Sequence, residues 1–146
     1  VIVIHNGEIY SDQPLTNIID GTWGEGVATD LTIISYGHLS QKSFEAIISL
    51  QEDFEIMSQL IIPTKIFPFN NRIIDLIKSK KVFIIDETLS ENGWARYTKS
   101  KLYDCDKSIE IFNYSTDFDI IPSSKILEKS FLIQVEDISQ YILSQL

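Results

Sequence analysis

Few residues in this 146-residue chain offer chemistry, and most of them fall where apolar runs end. His38 follows Tyr36 and Gly37, at the point where a β-branched run stops and a helix is due to begin. A titratable ring beside free backbone N–H groups can hold an anion or small ligand, although an exposed loop histidine is the plainer reading. Asp86 and Glu87 close the most apolar run. Two carboxylates divide acid and base work only when both face one reacting group, and consecutive strand residues face opposite sides of a sheet. Structural roles are therefore expected, with one of the two hydrogen-bonded to the neighbouring loop at Asn92 and Gly93, just before Trp94. These eight positions (Tyr36, Gly37, His38, Asp86, Glu87, Asn92, Gly93 and Trp94) are the candidate ligand or interface loops.

Other signals carry less. Gly21, Gly24 and Gly26 look like a phosphate loop, but a dinucleotide fingerprint needs its glycines after a strand and opening a helix. Here they lead into a strand. No serine has the elbow context of a hydrolase, Cys105 follows no catalytic signature, and no Cys/His cluster has zinc spacing. His5 has no nearby partner and is assigned no role. Phe67, Phe69, Trp94 and Tyr97 read as core rather than as a stacking platform.

The elements that must position these residues alternate. Residues 1–4 read as a short buried strand, and 5–29 as a connecting arm with no sustained period. Strands are expected over 31–36, 56–62, 81–86 and 108–112. Helices are expected over 40–52, capped by Ser40; over a short stretch carrying Ile73, Ile74 and Ile77; and from about 94 to 103, with Trp94, Tyr97 and Leu102 inward. A turn-rich stretch over 114–121, a short helix over 124–129 and a last helix from 135 complete the chain. That last helix places Val135, Ile138, Ile142 and Leu146 on one side. Strand–helix alternation of this length implies βαβ units and a mainly parallel sheet covered on both faces, with any active edge at the strands' C-terminal ends.

Composition bounds the function. Twelve Lys and Arg against 21 Asp and Glu give a net charge of −9, which argues against nucleic-acid binding. Acidity serves solubility first and is compatible with a basic partner. A lone cysteine, no signal-peptide pattern and no apolar run long enough for a bilayer point to a cytoplasmic protein. The chain has no initial Met and opens directly on the strand-like run Val1-Ile2-Val3-Ile4, so a piece of a longer protein is expected.

The order of the motifs adds a resemblance. Asp30-Leu31-Thr32-Ile33-Ile34-Ser35-Tyr36-Gly37, a helix, residues 56–68, Val82-Phe83-Ile84-Ile85-Asp86-Glu87 and the loop Asn92-Gly93-Trp94-Ala95 together resemble the transketolase C-terminal domain. That domain occurs in transketolases, deoxyxylulose-phosphate synthases and the beta subunits of thiamine-diphosphate-dependent 2-oxoacid dehydrogenases. Val1-Ile2-Val3-Ile4-His5-Asn6-Gly7-Glu8-Ile9-Tyr10 is similar to the last strand of the preceding pyrimidine-binding domain in the pyruvate-type beta subunits. Ile121-Pro122-Ser123-Ser124-Lys125-Ile126-Leu127-Glu128, with Val135-Glu136-Asp137-Ile138 after it, is similar to their C-terminal tail. The chain departs from the family at His5, where a carboxylate is frequent, at Asn92-Gly93, where glycines are paired, and at Trp94-Ala95, where an aromatic–Gly step is usual. Asn tolerates the left-handed backbone a first glycine would supply.

The resemblance implies a three-layer αβα fold with a mainly parallel, roughly five-stranded twisted sheet over 30–146, preceded over 1–29 by the end of another domain and an arm. It implies a non-catalytic role in an oxidoreductase: packing in a homo- or hetero-oligomer, and docking to an acyltransferase core. Thiamine diphosphate and Mg belong to the presumed full-length enzyme, so no catalytic, cofactor-binding or metal residue carries over, and the chain alone is expected to be inactive. A transketolase or deoxyxylulose-phosphate synthase is the alternative within the superfamily. A stand-alone regulatory module binding a small ligand, built on Gly37-His38 near Asp86 and Glu87, is the alternative outside it.

Overall fold

A computed structural model describes residues 22–23, 30–89, 93–105, 108–116 and 132–146. The order of elements is β1 (Thr22–Trp23), β2 (Leu31–Ser35), α1 (Leu39–Phe54), β3 (Ser58–Ile61), α2 (Arg72–Leu76), β4 (Lys81–Leu89), α3 (Trp94–Cys105), β5 (Glu110–Thr116) and α4 (Val135–Gln145). The readings of 1–4, His5, most of the arm, Asn92 and the helix over 124–129 fall outside the described residues.

The sheet has the order β1-β3-β2-β4-β5, with β3, β2, β4 and β5 parallel and the two-residue β1 antiparallel on the edge of β3. Alternation along the strands divides the core in two. Leu31, Ile33, Leu60, Phe83 and Ile85 face α1 and α4, meeting Ile47, Leu50, Ile138 and Ile142. Ile34, Ile61, Val82 and Ile84 face the other way, onto Ile73 of α2 and Ala95 and Leu102 of α3. Helices on both faces of a parallel sheet make the three-layer fold expected from the sequence. Burial on both sides also explains why β2 and β4 read as unbroken apolar runs rather than alternating ones.

Several boundaries differ from expectation, each for a physical reason. Ser40 does not cap α1. His38 holds the cap position without a side-chain hydrogen bond, and the Ser40 hydroxyl instead donates to the Ser35 carbonyl at 3.4 Å. The strand expected to stop at Asp86 continues to Leu89, with a register shift between Ile85 and Leu89. Its partner β5 correspondingly runs to Thr116, through the first part of the stretch read as turns. Bulge-type irregularities let strands extend past a polar residue that periodicity takes for an end. In α3 the inner stripe is Ala95, Thr98 and Leu102, while Trp94 and Tyr97 lie half-buried toward the sheet edge. Leu146 is 51% exposed and lies outside the apolar stripe of α4, whose buried residues are Ile138 and Ile142.

Candidate functional site

The chain leaves β2 for β3 on one side and returns to β4 on the other, so β2 and β4 flank a topological switch point. In open α/β sheets ligands bind outside the strands' C-terminal ends at such a point. Tyr36, Gly37 and His38 follow β2 there, and Asp86 and Glu87 lie on β4 just past the Ser35–Ile85 register pair. Gly37 has φ +62, a left-handed conformation that lets the backbone turn out of β2 straight into α1.

Asp86 and Glu87 separate across the sheet as strand alternation requires. Asp86 is fully buried on the α3 side, and its carboxylate is saturated by donors. Oδ1 accepts from the Tyr36 hydroxyl at 3.1 Å and from the Thr88 backbone N–H at 3.1 Å. Oδ2 accepts from the Thr88 hydroxyl and, at 2.9 Å, from the Ala95 backbone N–H. The Thr88 Oγ1 accepts in turn from the Trp94 N–H at 3.1 Å. The first two amides of α3 are thus held by side chains of β4, and the positive end of the helix faces a carboxylate of its own chain. Asp86 therefore ties β4 to the start of α3.

Tyr36 closes this arrangement. Its ring meets Trp94 edge to face, with centroids 4.7 Å apart and planes at 71°. Burial, and then the adjacent Asp86 carboxylate, push the Tyr36 phenol above its ordinary value near 10. The Trp94 indole N–H donates to the Ile66 carbonyl at 3.0 Å, which fixes the loop after β3 against α3. The Phe69 N–H donates to the Tyr97 hydroxyl at 3.1 Å. Phe69 and Trp94 pack against the core beneath α2 and α3, but Phe67 is 72% exposed and is not a core residue. Its aromatic character alone could not reveal this, because the loop lifts it away from the sheet.

Glu87 points to the other face, where His38 Nε2 lies 2.8 Å from Glu87 Oε1. Both atoms are withdrawn from solvent, and the approach is one of ion-pair distance rather than an aligned hydrogen bond. The Glu87 carbonyl accepts from the Thr116 hydroxyl at 2.7 Å, which ties β5 to the irregular end of β4. The structure thus brings seven of the eight candidate positions to one edge: Gly93 precedes the start of α3, and Asn92 is outside the described residues. Sequence reasoning missed Thr88. Its position, six residues before a helix start and two after a carboxylate, carried no recognisable signature.

The start of α3 is therefore partnered from within by Asp86 and Thr88, whereas the His38–Glu87 pair lies beside the start of α1 without capping it. The four donors on Asp86 occupy the lone-pair directions a metal ion or an aminopyrimidine would need, so the carboxylate does not fit thiamine diphosphate with Mg. Among the described residues no three His, Cys, Asp or Glu side chains converge as a metal site. Cys105 is exposed and unpaired with another cysteine. No helix of the described residues is long and apolar enough to cross a membrane. A shallow hollow lies apart from this edge, with Ile61, Pro63 and Ile73 as its floor and Lys65, Asn70 and Arg72 on its rim.

No protein-family model matches the sequence, and no curated protein is significantly similar to it. Solved structures do match. A split-gene transketolase, described as an inactive beta4 tetramer, superposes with a TM-score of 0.70 at 14% identity, over 86% of this chain and 42% of that one. A 2-oxoglutarate:ferredoxin oxidoreductase from Magnetococcus marinus, with 2-oxoglutarate, coenzyme A and succinyl-CoA bound, superposes with a TM-score of 0.60 at 16% identity. That match covers 85% of this chain and 19% of the other. The chain thus spans less than half of either neighbour, and the likeness establishes a shared transketolase C-terminal-like fold.

Proposed function

We propose that this chain is a non-catalytic, transketolase C-terminal-like domain of a cytoplasmic thiamine-diphosphate-dependent enzyme, over residues 30–146, whose task is subunit assembly. The observation that carries the reading is the saturation of Asp86. The carboxylate best placed at the switch point is fully buried and committed to the start of α3. The fold shared with 42% of a transketolase chain and 19% of a 2-oxoglutarate:ferredoxin oxidoreductase chain supports the same reading, since the likeness reaches only part of either larger chain.

Within that reading we place the chain in a 2-oxoacid dehydrogenase beta-type subunit of the pyruvate type, an oxidoreductase, with docking to an acyltransferase core as a second task. The resemblance of residues 1–10 and 121–128 to that branch supports it. Transketolase or deoxyxylulose-phosphate synthase is the competing branch, and the structural likeness to a transketolase supports that one. Assaying the parent enzyme separates the two: turnover of a 2-oxoacid favours the first, and ketol transfer from a ketose phosphate favours the second. Activity of the 146-residue chain alone on either substrate contradicts the proposal.

A further inference from the structure

The net charge of −9 conceals two layers of opposite sign. Residues 62–80 contribute Lys65, Arg72, Lys78 and Lys80, and α3 adds Arg96, Lys99 and Lys101. Against these seven cations stand Asp75 and Asp104, a side-chain balance of +5. On the other side of the sheet α1, Glu55 and α4 carry six carboxylates and one cation, Lys42, a balance of −5. Lys42 is itself engaged, donating to the Ile133 carbonyl at 2.7 Å.

Each layer also leaves a large apolar side chain in water, at opposite ends of β3. Beyond the C-terminal end of β3, residues 64–68 are all exposed, with Phe67 at 72% and Lys65 beside it. Before its N-terminal end, residues 51–55 are all exposed, with Phe54 at 53% among Glu52, Asp53 and Glu55. Those carboxylates crowd the negative end of α1, whose last turn contains no basic residue. Glu55 further holds φ 58, a left-handed conformation that residues other than Gly and Asn seldom adopt. In an isolated domain both features are unfavourable. A cationic surface laid over this end of α1 would remove the charge penalty.

We propose that the exposed stretch 64–68 of one copy docks onto the 51–55 end of α1 in a second copy, bringing Phe67 and Phe54 together inside a rim of opposite charge. Both halves of the complementarity lie in one sequence, which is what favours a second copy. The overall acidity opposes a polyanion such as nucleic acid. The two patches differ, so the contact is heterologous and propagates head to tail, closing as a ring or continuing as a chain. This inference deepens the assembly part of the proposed function and rests on it; cofactor titration of the monomer reads the non-catalytic part separately.

Sedimentation of the full chain over a concentration series, at ionic strengths from about 0.02 to about 0.5 M, tests it. Species larger than a dimer should form at low salt, with self-association weakening about ten-fold or more across the series. Phe67→Ser and Phe54→Ser touch only exposed side chains, and circular dichroism verifies that both variants fold. Each variant alone should lose one of the two patches and stay monomeric. An equimolar mixture should form a one-to-one heterodimer and nothing larger, because each variant supplies the patch the other lacks. A monomeric wild-type chain at all concentrations overturns the proposal, as does association that survives either substitution or a mixture that stays monomeric. Phe67-dependent binding of an oligodeoxythymidine in place of a second copy also overturns it.

Discussion

Asp86 and Ala95, nine residues apart, are joined by a 2.9 Å hydrogen bond from the Ala95 backbone N–H to the buried Asp86 Oδ2. A strand residue thereby satisfies the first turn of the following helix from across the intervening loop, and with Thr88 it anchors α3 at both of its leading amides. Asp86 and Thr88 thus form a structural joint at the place where ligands enter other folds of this architecture.

Removing that joint should be expensive. Asp86→Ala leaves the Tyr36 hydroxyl, the Thr88 hydroxyl and two backbone amides without their acceptor in a buried place. A loss of about 3 kcal/mol in unfolding free energy is expected, read from denaturant titration. Asp86→Asn keeps the shape but turns an NH2 group toward two of those donors, and should fall between the wild type and Asp86→Ala.

Glu87 provides the internal contrast. The contacting atoms are buried but the His38 and Glu87 side chains are 15% and 26% exposed, and part-exposed pairs of this kind contribute little. Glu87→Gln should lower stability by less than about 1 kcal/mol in the same titration. An effect equal to that of Asp86→Asn would show that the α1 side of the edge matters as much as the α3 side.

Thr88→Val tests the capping role directly. It removes the acceptor of the Trp94 amide while preserving volume, and a lost cap of this kind costs about 1 kcal/mol. Amide hydrogen exchange at Trp94 and Ala95 should quicken relative to the middle of α3.

Tyr36 sets an alkaline limit. Its phenol is held above the ordinary value near 10, first by burial and then by Asp86. Between the unfolded and folded values the native state keeps a proton that the unfolded chain has released, so stability falls as pH rises above about 10. Tyr141, stacked on Tyr114 with centroids 4.7 Å apart, is shifted in the same direction, chiefly by burial. Tyr36→Phe should therefore make the alkaline loss of stability shallower without abolishing it, as read by denaturation at a series of alkaline pH values.

Much of the architecture was legible because parallel strands buried on both faces announce themselves. Leu31 to Ser35 and Lys81 to Ile85 are apolar runs whose neighbours in space could only be helices. The separation of Asp86 from Glu87 also followed from strand alternation. What could not be read was context from other elements. Nothing local to Thr88 marks it as a cap, since the amide it serves belongs to a helix six residues on. Nothing in Phe67 tells that the loop after β3 lifts it into solvent, whereas Trp94, of similar character, is held down by the Ile66 carbonyl. A single net charge likewise could not show that the cations gather on one layer and the carboxylates on the other.

Calorimetric titration of the purified chain with thiamine diphosphate and Mg is the most direct measurement of whether this domain is non-catalytic. No saturable heat and an unchanged denaturation midpoint are predicted, because the switch-point carboxylate is fully engaged by Tyr36, Thr88 and Ala95. Stoichiometric binding of the cofactor, with the rise in midpoint that such binding imposes, would contradict it.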